Sequence, residues 1–234
     1  MKVDGNIQPA DLLEEANRVF ELGIEKVKSI DKSWKPENGT PVFTVEGKYT
    51  TRGWTEWTQG FQYGNALLCF DATGDRDMLE LGRRRTIDHM LPHVTHMGVH
   101  DHGFNNLSTY GNLARLMTEG KIQQDKWEYE TYTQAIRTSG AVQAMRWAPV
   151  KDLEEGVPGG FIYSFNGPHS LFIDTMRSLR ILGVAHQLGH VLMGEGDQRI
   201  NLLHRLIVHA LTTDKWIIFH GDSEHTYDVR GRTA

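Results

Sequence analysis

Apolar residues recur along this chain at two different densities, and the alternation predicts its elements. From Pro9 to Ser29, Leu12, Leu13, Ala16, Val19, Phe20 and Ile24 fall at helical spacing. Asp11, Glu14 and Glu15 crowd the first turns, where the helix dipole favours acids. The stretch from Ser29 to Gly53 carries Pro36, Gly39, Pro41 and Gly47 and reads as a connector with a short strand at 42–45. From Phe61 to Thr73 the chain is apolar nearly all round, the mark of a helix buried on most sides, with Thr58 placed to cap it. Gly74-Asp75 breaks that pattern. An amphipathic helix follows from Asp75 to Met90, with Arg83, Arg84 and Arg85 read as exposed.

The same alternation returns. Phe104 to Glu119 predicts a helix burying Leu107, Tyr110, Leu113, Ala114 and Met117. Gln124 to Met145 predicts an outer helix. Residues 148–160, with Pro149, Pro158 and paired glycines, read as a loop, and 161–165 as a short strand. Residues 170–192 form a second buried helix, and Gly196-Asp197 opens an outer one from Gln198 to Trp216. The order buried helix, Gly-Asp, outer helix thus occurs at 61–90 and again at 171–213. Stacked hairpins of one buried and one outer helix predict an all-α fold, a toroid or solenoid of αα units with about seven helices. Past Phe219 the chain turns polar and reads as a loop or short hairpin, with no closing helix before Ala234.

Composition narrows the function classes. The chain has 234 residues, 39% of them hydrophobic and 24% charged, with a formal charge of −5. It has no block of Lys or Arg, which argues against nucleic acid as a partner. No apolar run reaches membrane-spanning length and residues 1–10 have no apolar core, so neither a membrane segment nor a leader is expected. Cys69 is single, which excludes an internal disulfide and a thiolate metal cage. The simplest expectation is a cytoplasmic protein of a reducing compartment. A periplasmic protein with its leader removed would read the same.

Candidate chemistry centres on His100-Asp101-His102-Gly103-Phe104, a titratable cluster against an aromatic. Asp174 is the second acid, flanked by Phe172, Ile173 and Met176. In such company burial would favour its proton-bearing form, which suits a general acid. Each acid also has a plain structural reading, Asp101 as a turn residue and Asp174 as a helix cap. His89, His93, His96, His100 and His102 lie close together, and His186 with His190 has i, i+4 spacing, which leaves a histidine-ligated metal hydrolase as a rival. The protease pattern His-Glu-x-x-His is not met, because Gln187 stands at the second position. Trp54, Trp57 and Trp147, at helix ends or loops, read as ring-stacking residues or as cover for the core.

Three pieces in order resemble glycoside hydrolase family 88, the unsaturated glucuronyl hydrolases. They are Trp57-Thr58-Gln59-Gly60-Phe61 with Gly64, then His100-Asp101-His102-Gly103-Phe104. The third runs from Ile173-Asp174-Thr175-Met176 through Gly196-Asp197 and His209-Ala210-x-Thr212-Thr213 to Asp222-Ser223-Glu224-His225. The resemblance implies an (α/α)6 barrel without metal or cofactor. Its substrates would be oligosaccharides with a 4,5-unsaturated uronic acid at the non-reducing end, released by hydration of the vinyl ether. It implies Asp174 as general acid and base, Asp101 as the second carboxylate, and Trp57, His100, Phe104, Trp147 and His225 as sugar-binding residues. Two departures stand out. Thr-Met-Arg-Ser-Leu follows Asp174 where the family more often has Met-Asn-Leu, and family members are substantially longer. The expectation is one toroid domain over 1–234 lacking the C-terminal part of the barrel, its open face covered by another subunit or by a missing segment. A non-catalytic carbohydrate-binding or interaction module is the remaining alternative.

Overall fold

The computed structural model describes residues 5–51 and 57–218. A 3₁₀ turn, Pro9–Leu12, leads into α1 (Leu13–Ser33). Only one face of α1 meets the rest of the chain, through the half-buried Phe20, Ile24 and Val27. The hairpin of β1 (Phe43–Val45) and β2 (Lys48–Thr50) turns on Glu46 and Gly47, both at positive φ.

α2 (Gln59–Thr73) and α3 (Arg76–His89) form the first buried–outer pair. α2 buries Tyr63, Ala66, Leu67, Cys69 and Phe70, as its apolar sequence requires. It ends on Gly74 in the left-handed region (φ 76°). Asp75 then starts α3 by accepting hydrogen bonds from the N–H groups of Asp77 and Met78. Thr58 occupies the N-cap of α2 but makes no capping bond, because its backbone is already helical. Of the three arginines read as exposed, only Arg84 is. Arg85 lies against α1, its Nε–H donating to Asp31 at 2.7 Å.

The short α4 (Leu91–Val94) precedes a nine-residue π-helix, Gly103–Gly111, which runs into α5 (Asn112–Thr118). α6 (Lys126–Met145) is capped by Asp125. The predicted loop at 148–160 is instead a β-hairpin of β3 (Trp147–Glu154) and β4 (Val157–Ile162), turning on Glu155-Gly156. Pro149 and Pro158 are tolerated because a two-stranded hairpin is all edge. The predicted helix 170–192 is shorter and broken, into α7 (Thr175–Ser178) and α8 (Arg180–Gln187). Gly196-Asp197 does not open the last helix. It turns a hairpin of β5 (Leu192–Met193) and β6 (Arg199–Ile200), with both residues at positive φ. α9 (Leu202–Trp216) is started by Asn201, which accepts from the N–H of His204.

The helices pack in chain order. α2 lies between α1 and α3 and against the π-helix, the π-helix against α6, α6 against α8, and α8 against α9, which also covers β4. This is an α/α toroid arrangement. One core runs through it, from Leu67, Met78 and Leu79 past Tyr110, Leu113 and Tyr132 to Ile136, Ile181, Leu182 and Leu202. Two close approaches set the packing near the helix starts. A Cβ on Gly60 would lie 2.3 Å from the Cα of Asn105, and one on Gly103 would lie 2.2 Å from the carbonyl oxygen of Ser178. Only glycine admits backbone at that distance. The starts of α2 and the π-helix and the end of the short α7 are thereby drawn together.

Candidate active site

His100, just before the π-helix, is the centre of the group formed where those helix ends meet. Its ring is buried, at 1% exposure. Its Nε2 lies 3.3 Å from Oδ1 of Asp174 and 3.7 Å from Oδ1 of Asp101. A carboxylate only accepts, so Nε2 carries the proton and donates it to Asp174. Phe165 stacks on the imidazole at 6.1 Å and 15°, and Phe172 meets it edge-on at 6.0 Å. The two acids differ sharply in setting. Asp101 is buried, whereas 51% of the Asp174 side chain is exposed.

This exposure corrects the expectation of a buried Asp174. Its sequence neighbours Ile173 and Met176 are themselves exposed, so apolar company along the chain is not apolar cover in space. Asp174 occupies the N-cap position of α7 without capping it, because its carboxylate is turned to His100.

The approach of α7 to His100 is held by one hydroxyl. Ser178 Oγ donates to the carbonyl of His100 at 2.6 Å and accepts the N–H of Gly103 at 2.9 Å. Phe165 is positioned by a turn in which the N–H of Ser164 donates to the carbonyl of Ser170 and the two hydroxyls meet at 2.6 Å. Arg146, buried over the ring of Tyr163 at 4.3 Å, donates to the carbonyls of Tyr163, Ser164 and Met97. It thus ties the strand that leads to Phe165 to the loop that leads to His100. Burial lowers its pKa, and the nearby Asp101 carboxylate acts in the opposite sense.

An aromatic group lies beside the acids. Trp57 is 45% exposed and meets Phe61 at 5.8 Å and Phe104 at 5.9 Å. Phe104 is buried beneath both, so it supports this surface, and Trp57 is its part-exposed ring. Arg177 stands over the Phe61 ring at 5.3 Å. Trp147 is half-buried at the start of β3, covered by Arg205 at 5.0 Å and pressed by the backbone of Gly160. Trp54 and His225 lie outside the described residues.

The other histidines are structural in their contacts. His93 is buried and donates to Gln59 Oε1 at 2.5 Å, and burial pushes its pKa down to about 4. His102 points away from the acids, donates to the carbonyl of His96, and is pushed by burial down to about 3. His93 lies beyond α3, which stops at His89, on the short α4 where the chain turns inward. His186 and His190 do not share a helical face, because α8 ends at Gln187. Among the described residues no group of three His, Cys, Asp or Glu is arranged to hold a metal ion. His209 is buried against β4, its Nδ1 accepting the N–H of Ile162 at 2.9 Å. Burial, and then the nearby His100, lower its pKa to about 4. Thr212, one turn on, donates to the carbonyl of Gly160. The His209–Thr212 piece therefore fastens the hairpin to α9.

No family model matches the chain, and no curated protein matches it. A search of solved structures finds the crystal structure of unsaturated glucuronyl hydrolase from Streptococcus agalactiae, with a TM-score of 0.64 and 19% sequence identity over 92% of this chain. The fold is similar to that of an unsaturated glucuronyl hydrolase. The chain spans about half of that structure, 48% of its length.

The signals that sequence reasoning missed were short. Phe165, Ser178, Arg146 and Arg177 carry no motif. Ser178 and Arg177 both fall in the stretch where the chain departs from the family pattern.

Proposed function

We propose that this chain forms the mouth of a glycoside hydrolase acting on oligosaccharides that end in a 4,5-unsaturated uronic acid. The observation that carries this reading is the exposed carboxylate of Asp174, held at 3.3 Å by the Nε2–H of a buried His100 that also adjoins Asp101. The group stands beside the part-exposed Trp57 in a fold similar to that of a glucuronyl hydrolase.

Ordinary glycoside hydrolysis uses two carboxylates flanking the anomeric carbon. A vinyl ether needs only one acid for its first step. Asp174 delivers a proton to C4 of the double bond. The resulting carboxylate then takes a proton from the water that adds at C5, and the hemiketal opens to release the rest of the saccharide. One oxygen of Asp174 is engaged by His100, which leaves the other for the substrate. An exposed acid suits this role because the bound sugar itself displaces water from it. Asp101 takes the sugar hydroxyls and balances His100. Trp57 stacks on the sugar face, a contact that aromatic side chains make readily because the ring face is broad and apolar.

The experiment is to add lyase-generated unsaturated disaccharides and follow loss of the absorbance of the conjugated double bond. The wild-type chain bleaches the signal. Asp174→Asn keeps its thermal melt and loses turnover by at least about 100-fold, the usual scale for removing a general acid. A fully active Asp174→Asn overturns the mechanism.

A further inference from the structure

We infer that Arg177 is the residue that selects an acidic sugar, by binding the carboxylate of the terminal uronyl group. The inference rests on the function proposed above and deepens it.

Arg177 is placed between the two halves of the candidate site. Its backbone N–H donates to the carbonyl of Asp174 at 3.0 Å, so the two residues share one turn at the start of α7. Its guanidinium lies 5.3 Å over the ring of Phe61, which meets Trp57 and Phe104 at 5.8 and 5.9 Å. The cation is therefore held beside the aromatic surface on which a sugar would stack, one turn from the proposed proton donor.

The arginine is also unspent. Arg85 and Arg115 are paired with Asp31 and Asp71, and Arg83 bridges Glu80 and Glu128. Arg146 is saturated by carbonyls. Among the described residues no carboxylate lies within ion-pairing distance of Arg177, although Asp174 is its neighbour in the same turn. Stacking on an aromatic ring fixes the plane of a guanidinium while leaving its N–H fork open. A planar fork is matched to a carboxylate, which it binds through two parallel hydrogen bonds.

Electrostatics point the same way. Asp101 places a carboxylate at this mouth, beside Asp174 as the proton-bearing acid. A uronyl group brings a further negative charge, which a nearby cation offsets. A neutral sugar needs no such partner. Arg177 supplies the compensating charge on the side of the aromatic surface, which leaves Asp174 facing the double bond.

The test compares wild type, Arg177→Met and Arg177→Lys in the absorbance assay, using an unsaturated uronyl disaccharide and its methyl ester. Wild type prefers the free acid. Arg177→Met raises KM for the acid by about 10- to 100-fold, with kcat changed much less, and turns over acid and ester alike. Arg177→Lys recovers part of the preference, since it restores the charge without the fork. Equal KM values for wild type and Arg177→Met on the free acid overturn the inference and leave the proposed reaction standing. A fall in kcat at unchanged KM also overturns it, by assigning Arg177 to the alignment of α7. A wild-type chain that bleaches neither compound overturns the proposed reaction, and the inference with it.

Discussion

At the scale of single residues the candidate site depends on the space beside Gly103. No side chain fits there, because an added Cβ would lie 2.2 Å from a backbone oxygen and 2.6 Å from the Cα of Ser178. The contact is with backbone, so it cannot be relieved by a rotamer change. Gly103→Ala must push α7 away from the π-helix, and with it Asp174 away from His100. A misplacement near 1 Å in a catalytic group costs about 100-fold in rate. The expected outcome is a kcat lowered by about that factor, with a weaker saccharide affinity as well, because Arg177 moves with α7. Kinetics paired with tryptophan fluorescence titration checks it, and a Gly103→Ala variant with wild-type kcat would show that the separation is not critical. Residue type and spacing made Asp101, His100 and Asp174 candidates, and the chain brings both carboxylates to the His100 ring. The exposure of Asp174 was not, because it depends on where Ile173 and Met176 point after α7 breaks from α8.

At the scale of elements the crossing of α2 and the π-helix decides where the aromatic surface lies. Gly60 brings the two backbones together, and its N–H donates to Oδ1 of Asn105 at 2.8 Å. Gly60→Ala places a methyl 2.3 Å from the Cα of Asn105. Overpacking of this kind costs about 1–3 kcal/mol. It should lower the denaturation midpoint with an unchanged slope in a urea titration, since the same surface is exposed on unfolding. An unaltered midpoint would mean that the helices part without cost. The helices themselves were largely legible, because α2 and α3 carry apolar patterns that match their burial, whereas α1 has the spacing but leaves Leu12, Leu13 and Val19 exposed. The hairpin β3–β4 was not, since Pro149, Pro158 and Gly159-Gly160 resemble loop composition and the pairing is set by α9, through His209 and Thr212. The π-helix was also hidden. Its apolar spacing is that of any buried helix, and its extra width shows only in the backbone bonds.

At the scale of the whole molecule, the number of buried neutral histidines sets how the fold meets acid. His93, His102 and His209 are pushed down to about 4, 3 and 4, in each case mainly by burial. An unfolded chain releases them to water, where the ordinary value is about 6.5. Between pH 6.5 and 4 the unfolded state therefore binds more protons than the folded one, so stability rises with pH across this window and is lost as pH falls through it. Each proton so taken up costs roughly 1.4 kcal/mol per pH unit. The carboxylates with lowered values, Asp71 and Asp75, add their loss only at lower pH, below their ordinary value of 3.8. Asp71 is held by hydrogen bonds from Lys121 and Arg115, and Asp75 by Lys28 and the N–H groups of α3, and in both these outweigh the opposing effect of burial. The expected result is a Tm that is flat above pH 6.5 and falls steadily from there to pH 4, with two to three protons taken up on unfolding near pH 5. Calorimetry in buffers of different ionisation enthalpy measures that uptake directly. Uptake of less than one proton at pH 5 would mean that the three histidines are charged in the folded chain, and the buried core around His93 and His102 would then have to be open to water.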